Sequence, residues 1–164
     1  MLALRLVITS LALFLCCVVH ASESYTVSYV YDGDTVQIST LQLADSQGQF
    51  KLRLSDIDAP ERNQPYGLKA RRALMKLCQG TDVEIGVEIS GTDKYARKLG
   101  NLNCNGTDAS LYLVEQGYAW HSAKFSNNPQ LKQASEKARE NKRGLWQDPD
   151  PMPPWLWRKR NLQP

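Results

Sequence analysis

The alternation of apolar and polar residues predicts a mainly β domain in the middle of the chain. β-Branched and aromatic side chains dominate residues 25–31, and Asp32-Gly33 is a turn signal ahead of a second strand over residues 35–43. Three further segments have strand character: residues 49–54, 82–89 and 98–104. Five strands in this order favour a small, partly open barrel of the OB kind.

Apolar residues at helical spacing add about three helices to these strands. The first is expected to start at Pro65, a residue suited to the first turn of a helix. Its buried stripe would comprise Ala70, Ala73, Leu74 and Leu77. Asp108 is the expected N-cap of a short second helix that Gly117 ends, and the third spans residues 129–142. The expected fold class is α+β but mainly β: a five-stranded OB-fold barrel with about three helices.

The start of the chain has the pattern of a secretory signal peptide. A basic residue precedes an apolar run over residues 6–19, and Val19 and Ala21 place small side chains at the −3 and −1 positions of a cleavage site. The run is short for a membrane span, so an uncleaved anchor or a lipidated cysteine is the weaker interpretation. We therefore expect cleavage near Ala21 and a secreted or periplasmic protein without stable membrane association.

The rest of the chain divides into a body over residues 22–147 and a basic tail over residues 148–164. The tail opens with a proline-rich stretch that suits neither a helix nor a central strand. Trp155 and Trp157 follow this stretch and are expected to dock on the body, and residues 158–160 are all basic. We find no internal repeat and no second domain, and we expect a monomer.

Two cysteines, Cys78 and Cys104, remain after signal cleavage. An even number of cysteines in an oxidising compartment permits a disulfide. Cys78 ends the first predicted helix just before one strand, and Cys104 ends the next strand, so antiparallel pairing of these strands would bring the two thiols together. The alternative is two separate buried thiols. Neither cysteine has the spacing of a zinc or redox motif.

Three polar clusters carry the chemistry, whereas the overall charge is uninformative. A formal net charge of +3 does not by itself require a nucleic-acid partner. The clusters are DGDT at residues 32–35, RLSDIDAPE at residues 53–61 and DKYAR at residues 93–97. They combine carboxylates for a hard cation, two arginines for a phosphate and one further carboxylate that could act on water. These are the groups that a metal-assisted phosphodiesterase needs.

Each group in these clusters also has an ordinary structural explanation. Asp34 and Asp58 suit the irregular oxygen site of calcium, but aspartate is also common in turns. Arg53 and Arg97 offer guanidinium forks for a phosphate, or they pair with nearby acids. Glu61 could activate or position a water, or interact with the N-terminus of the helix that follows it.

In this order and spacing the motifs are specific. The chain resembles the staphylococcal nuclease (thermonuclease) family over residues 25–146, through DGDT, R-x4-D-x-P-E, a relaxed YG-x-x-A at residues 66–70, and DKYAR. The resemblance implies a calcium-dependent nuclease that hydrolyses DNA and RNA and leaves 3′-phosphate ends. A non-catalytic OB-fold module that binds single strands is the alternative, followed by a phosphate-scavenging or adhesion protein that uses the basic tail.

The resemblance also implies roles for single residues. Calcium ligands would be the side chains of Asp34 and Asp58 and the main-chain carbonyl of Ala59. Glu61 would be the general base, and Arg53 and Arg97 would stabilise the charge that develops on the phosphate.

Substrate contacts outside this set are less well defined by the sequence. By resemblance, Lys94 and Tyr95 would contact the terminal phosphate of a bound nucleotide, although both could instead be exposed loop residues. The tyrosine that stacks on the base in the family falls near Ala123, where Phe125 and Trp120 are the neighbouring aromatic residues. Asp32 is expected only to form its turn.

Overall fold

The computed structural model describes residues 24–41 and 48–161. The predicted signal peptide, the end of the predicted second strand and the last residues of the tail lie outside this part of the chain. No helix in the described part is long and apolar enough to cross a membrane.

Five strands form the predicted barrel, which is closed and not partly open. They are β1 (Ser24–Val30), β2 (Thr35–Leu41), β3 (Gln49–Leu54), β5 (Ile85–Thr92) and β6 (Lys98–Cys104). Three two-residue strands accompany them: β4 (Ile57–Asp58), β7 (Thr107–Asp108) and β8 (Trp120–His121). The strand order is β3-β2-β1-β5-β6-β7, and a further pairing of β3 with β6 closes the barrel. A closed barrel leaves none of its five strands as a free edge.

The closing pair of strands also brings two of the polar clusters together. β3 and β6 run parallel, with Leu52 opposite Lys98 and Arg53 opposite Leu99. The end of β3 therefore lies beside the start of β6. As a result, residues 53–61 and residues 93–97, which are far apart in the sequence, reach the same end of the barrel.

The described residues contain four α-helices: α1 (Gly67–Cys78), α2 (Ala109–Glu115), α3 (Pro129–Glu140) and α4 (Pro154–Asn161). The expected stripe on α1 is buried at Ala70 and Leu74, which are fully inaccessible to solvent. Asp108 caps α2 by accepting a hydrogen bond from the Leu111 N–H at 2.9 Å, as predicted. The core thus joins the barrel interior to one face of each of these two helices.

The boundaries of three elements differ from the predicted ones for local reasons. α1 starts at Gly67 because Tyr66 has a left-handed backbone (φ 69°) that no helix accommodates. α3 ends at Glu140, since Lys142 is also left-handed (φ 49°). β5 spans Ile85–Thr92 instead of residues 82–89, and a bulge between Ile89 and Gly91 lets it continue.

The tail docks on the body as expected, but it also contains a helix that the sequence analysis did not predict. Pro154 is buried and starts α4, a position where the lack of an N–H costs nothing. Just before α4, the carbonyl of Met152 accepts a hydrogen bond from the Gln64 side chain at 2.6 Å. Trp155 contacts Trp120 edge-on, with ring centroids 6.4 Å apart, and the Trp157 indole N–H donates to Asn63 at 3.2 Å. The tail therefore lies against the loop that precedes α1.

Cys78 and Cys104 form the predicted disulfide. Their Cα atoms are 5.2 Å apart, and both side chains are fully buried. The register of β5 against β6 places Ile85 opposite Cys104, so the start of one strand lies beside the end of the other. The disulfide ties α1 to the barrel.

We predict that reducing this disulfide lowers the free energy of unfolding by about 3–4 kcal/mol, because the cross-link closes a long loop in the unfolded chain. The two cysteines are 26 positions apart. The measurement is urea unfolding of the protein without residues 1–21, with and without reductant. A Cys78→Ala/Cys104→Ala double variant is the control, since reductant should leave it unchanged. Equal stability of the oxidised and reduced protein would contradict the prediction.

Candidate active site

The turn between β1 and β2 positions the first carboxylate of the site. The Asp32 side chain accepts a hydrogen bond from the Asp34 N–H at 3.0 Å, which is the turn-forming role expected for it. Asp34 itself is buried, with 5% of its surface exposed. Its Oδ2 accepts the Ala59 N–H at 2.7 Å, and its Oδ1 accepts the Thr35 hydroxyl at 3.0 Å. This carboxylate therefore connects the turn to residues 53–61.

Arg53 lies between the two aspartates that the sequence analysis proposed as ligands. Its Nε is 3.1 Å from Asp34 Oδ1, and its Nη2 is 3.0 Å from Asp58 Oδ1. Its Nη1 donates to the carbonyls of Leu54 and Ile57. The neighbouring leucines, Leu52 and Leu54, are fully buried, and the Arg53 side chain points away from the core and lines the cleft. Arg53 therefore both pairs with acids and faces the site.

Asp58 and Glu61 are held by short pieces of structure on either side of them. Asp58 lies in β4, which pairs antiparallel with Trp120 of β8. Three residues later, the Glu61 N–H donates to the Gln64 side chain at 3.1 Å, and the Glu61 carbonyl accepts the Gln64 N–H at 2.8 Å. The Glu61 side chain remains 35% exposed. This exposure gives the Glu61 carboxylate the contact with water that a proton acceptor needs.

The third cluster is a tight turn between β5 and β6 that orients Arg97. Asp93 Oδ1 accepts the backbone N–H groups of Tyr95 and Arg97, and its Oδ2 is 2.8 Å from both Nε and Nη2 of Arg97. Burial acts to raise the pKa of Asp93, but hydrogen bonds from Arg97 and Tyr95 outweigh it and hold this pKa below its ordinary value of 3.8. Asp93 thus stays ionised and fixes Arg97. The sequence analysis did not single out Asp93, although its i, i+4 spacing from Arg97 is visible in DKYAR.

The predicted site residues meet at one open cleft of about 670 Å³. Its lining comprises Asp32, Asp34, Arg53, Ala59, Glu61, Lys94, Tyr95, Arg97, Phe125 and Arg158. Asp58 lines the adjoining part of the same surface, with Arg53, Arg97 and Arg158. All eight residues proposed from sequence are therefore brought together.

Aromatic side chains at the rim divide into exposed and buried ones. Tyr95 and Phe125 are 69% and 73% exposed and line the cleft. Trp120 is only 4% exposed and packs against Trp146 and Trp155. Of the two aromatic residues proposed near the base position, Phe125 can therefore offer a ring face and Trp120 cannot. His121, which was expected to be a structural or surface residue, contacts the Ser126 carbonyl at 3.1 Å.

Arg158 of α4 is a site residue that the sequence analysis missed. Its Nη2 is 2.7 Å from Asp58 Oδ2, and its Nη1 is 3.2 Å from Asp58 Oδ1 and 2.8 Å from Glu61 Oε1. The hydrogen bond with Asp58 is the largest cause that raises the pKa of Arg158 above its usual range. The only signal in the sequence is a basic segment about a hundred positions from Asp58, so no local motif could have revealed this contact.

The donor set fits a hard divalent cation. No group of three or more His, Cys, Asp or Glu side chains converges on a metal position among residues 24–41 and 48–161. Asp34 and Asp58 both contact Arg53, and the Ala59 N–H binds Asp34, so the two carboxylates and the Ala59 backbone lie close together. Burial, the largest cause, raises the pKa of Asp34 to about 6 despite the Arg53 charge. The charge of Arg53 only partly offsets the cost of burying the ionised Asp34, so a cation would stabilise this carboxylate further. Oxygen donors of this kind suit calcium.

The comparison with known proteins identifies the class of enzyme. A sequence model of the family described as staphylococcal nuclease homologue matches residues 51–148. A protein of Escherichia coli O157:H7 named uncharacterized endonuclease is 37% identical over 132 residues, which cover 80% of this chain and 82% of the relative. A staphylococcal-like nuclease of Arabidopsis thaliana is 35% identical over 111 residues, which cover 68% of this chain but 34% of the relative.

The barrel, the cleft and these relatives together define a nuclease, a hydrolase of phosphodiester bonds. The chain belongs to the staphylococcal nuclease family.

We predict that Gly67→Ala disturbs the site through the loop that carries Glu61. A Cβ atom at Gly67 would overlap the Glu61 carbonyl, so the loop would have to move. We expect a loss of about 1–3 kcal/mol in unfolding free energy together with slower turnover. Gly91→Ala is the control, because a Cβ there meets no atom within 4 Å. Urea unfolding and initial rates of DNA cleavage measure both effects, and identical behaviour of the two variants would refute the prediction.

Proposed function

We propose that the protein is a calcium-dependent nuclease that hydrolyses both DNA and RNA and leaves 3′-phosphate ends. One observation carries this proposal: two buried carboxylates, a half-exposed glutamate and two arginines converge on a single open cleft. The 3′-phosphate products are the outcome that the family resemblance implies.

Asp34, Asp58 and the carbonyl of Ala59 would hold the calcium ion. When bound, calcium would supply positive charge beside a phosphate oxygen and a place for an ordered water. The buried Asp34 is suited to this task, because it is fixed by hydrogen bonds from Ala59 and Thr35 and needs no rearrangement to present its carboxylate.

Arg53 and Arg97 would bind the phosphate and stabilise the charge that develops on it. A guanidinium has five N–H donors. Arg97 directs only Nε and Nη2 to Asp93, so its Nη1 can serve a phosphate. Arg53 has Nε beside Asp34, Nη1 on two backbone carbonyls and Nη2 on Asp58, so one N–H of Nη2 remains for substrate. Asp93 fixes the orientation of Arg97 in the folded protein. Substrate binding therefore loses less side-chain conformational entropy than it would with a mobile arginine. Such preorganised donors are effective in the transition state.

Glu61 would accept a proton from the attacking water. Its side chain is partly exposed in the cleft, and its backbone is held by Gln64 on both sides of the peptide. A carboxylate placed in this way can act as a general base or orient the water for in-line attack.

The open cleft and its rim support a broad substrate range. Tyr95 and Phe125 present exposed rings, and stacking of bases on aromatic rings is tolerant of sequence. Lys94 lies beside the Tyr95 ring, with its Nζ 5.0 Å from the ring centroid, where it could contact a phosphate. These contacts do not depend on the sugar, which supports action on both DNA and RNA.

We also propose that the enzyme is exported. The disulfide supports this proposal, because such bonds persist mainly in oxidising compartments. The signal-peptide pattern at residues 1–21 supports it independently.

We predict that the protein cuts plasmid DNA and RNA with calcium and that chelator abolishes the cutting. Magnesium should be a poor substitute, because it demands near-octahedral geometry and gives up its water reluctantly. Asp34→Ala and Asp58→Ala should each weaken calcium binding in calorimetry. Equal turnover in either metal would count against the calcium assignment. Binding of single strands without cutting would support the binding-module alternative.

We predict that Arg97→Ala and Glu61→Gln each lower kcat by about 10²–10³-fold, while substrate binding changes far less. Arg97→Lys should not restore the rate, because an ammonium group cannot reproduce the fork. Arg53→Ala should also lose activity, but it removes the ion pair of the buried Asp34 and leaves Asp58 with Arg158 alone, so a loss of stability should accompany it. Steady-state kinetics on DNA provides the measurement. Arg72→Ala, an exposed arginine on α1, is the control and should behave as wild type.

A further inference from the structure

The contact of Arg158 with the cleft occupies the atoms that the proposed reaction needs. Oδ2 of Asp58 is 2.7 Å from Arg158 Nη2, and Oδ1 accepts from both Arg53 and Arg158. A carboxylate oxygen has about two lone-pair sites, so Oδ1 has none left for a metal. Oε1 of Glu61, which would accept a proton from water, is also engaged by Arg158, at 2.8 Å.

The position of the guanidinium is that of a counter-ion for the site. It brings one positive charge to two carboxylates, Asp58 and Glu61, that the proposed function assigns to a divalent cation and to a water. A calcium ion bound to Asp58 would lie close to this guanidinium, and like charges at such a distance repel each other. Arg158 and the metal therefore compete for Asp58.

The contact can open without unfolding the domain. Arg158 belongs to the tail helix and not to the barrel, and its side chain is 41% exposed, so its ion pairs are weakened by solvent. The tail has other attachments to the body, at Gln64 and Asn63. These can hold α4 in place while the Arg158 side chain leaves the cleft.

We propose that Arg158 is an autoinhibitory latch: it closes the metal-free enzyme by binding Asp58 and Glu61, and it must be displaced for calcium to bind. This inference rests on the proposed calcium-dependent function. It assigns to the C-terminal tail a role in setting how much calcium the enzyme requires. Arg158 would raise the calcium concentration at which the nuclease becomes active, without contributing to the chemical step.

A role for Arg158 as a positioning residue of Glu61 makes the opposite prediction. Loss of a positioning arginine would lower turnover and leave the affinity for calcium unchanged or weaker. Loss of a latch raises this affinity in the absence of any substrate. Direct calcium binding therefore separates the two roles.

The test is calorimetric titration of calcium into the wild-type protein and its Arg158→Ala variant, at constant ionic strength and without nucleic acid. We expect Arg158→Ala to bind calcium about three- to tenfold more tightly, because a partly exposed network of charge-assisted hydrogen bonds no longer competes. The calcium concentration that gives half-maximal DNA cleavage should fall by a similar factor. Arg158→Lys keeps the charge but loses the fork, so its calcium affinity should lie between those of wild type and Arg158→Ala.

Arg160→Ala is the matched control. It removes the same charge from the same helix, and Arg160 is exposed and lines neither part of the cleft. Its calcium affinity should stay within about twofold of wild type, as expected for an exposed charge in high dielectric. Equal tightening in Arg158→Ala and Arg160→Ala would overturn the latch, because the effect would then be one of net charge.

Failure of the latch is distinguishable from failure of the proposed function. If wild type binds calcium and cuts DNA but Arg158→Ala has the same or weaker affinity, the latch is wrong and the nuclease assignment stands. If neither protein binds calcium, the calcium assignment fails and the latch fails with it. If Arg158→Ala binds calcium and wild type does not, the latch is supported, and Arg158 then blocks calcium binding completely.

Discussion

The site depends on one side chain, Arg53, which holds together two carboxylates that would otherwise repel each other. Its guanidinium pairs with Asp34 from the β1–β2 turn and with Asp58 from β4. It also binds the carbonyls of Leu54 and Ile57, so it fixes the backbone between them. Two acids with little solvent exposure need such a partner, since an unpaired buried charge is costly.

Barrel closure is what makes this arrangement possible. The parallel pairing of β3 with β6 brings Arg53 beside the turn that carries Arg97. The turn is rigid because Asp93 satisfies its backbone N–H groups and fixes the arginine. Both arginines therefore reach the cleft from ordered elements, which fixes their positions before any substrate binds.

The C-terminal tail contacts both the body and the site. It packs against the loop that contains Glu61, through Gln64 and Asn63, and it delivers Arg158 to the same carboxylates. The two arginines that neutralise Asp58 differ in their position in the fold and in their solvent exposure. Arg53 comes from a barrel strand and is mostly buried, whereas Arg158 comes from the tail and is partly exposed. Only the second can leave at low cost.

The sequence by itself predicted the five barrel strands, three of the four α-helices and the turn role of Asp32, because periodicity, capping and compact motifs are local features. It also proposed the eight residues that the structure brings to one surface. It also indicated the disulfide, from the order of a helix and two strands. Only the tertiary structure decided the helix that starts at Pro154 and the contact of Arg158 with Asp58 and Glu61. The helix is positioned by tertiary packing against the loop before α1, and the Arg158 contact joins residues about a hundred positions apart. Neither feature is encoded in a local periodicity or motif of the sequence.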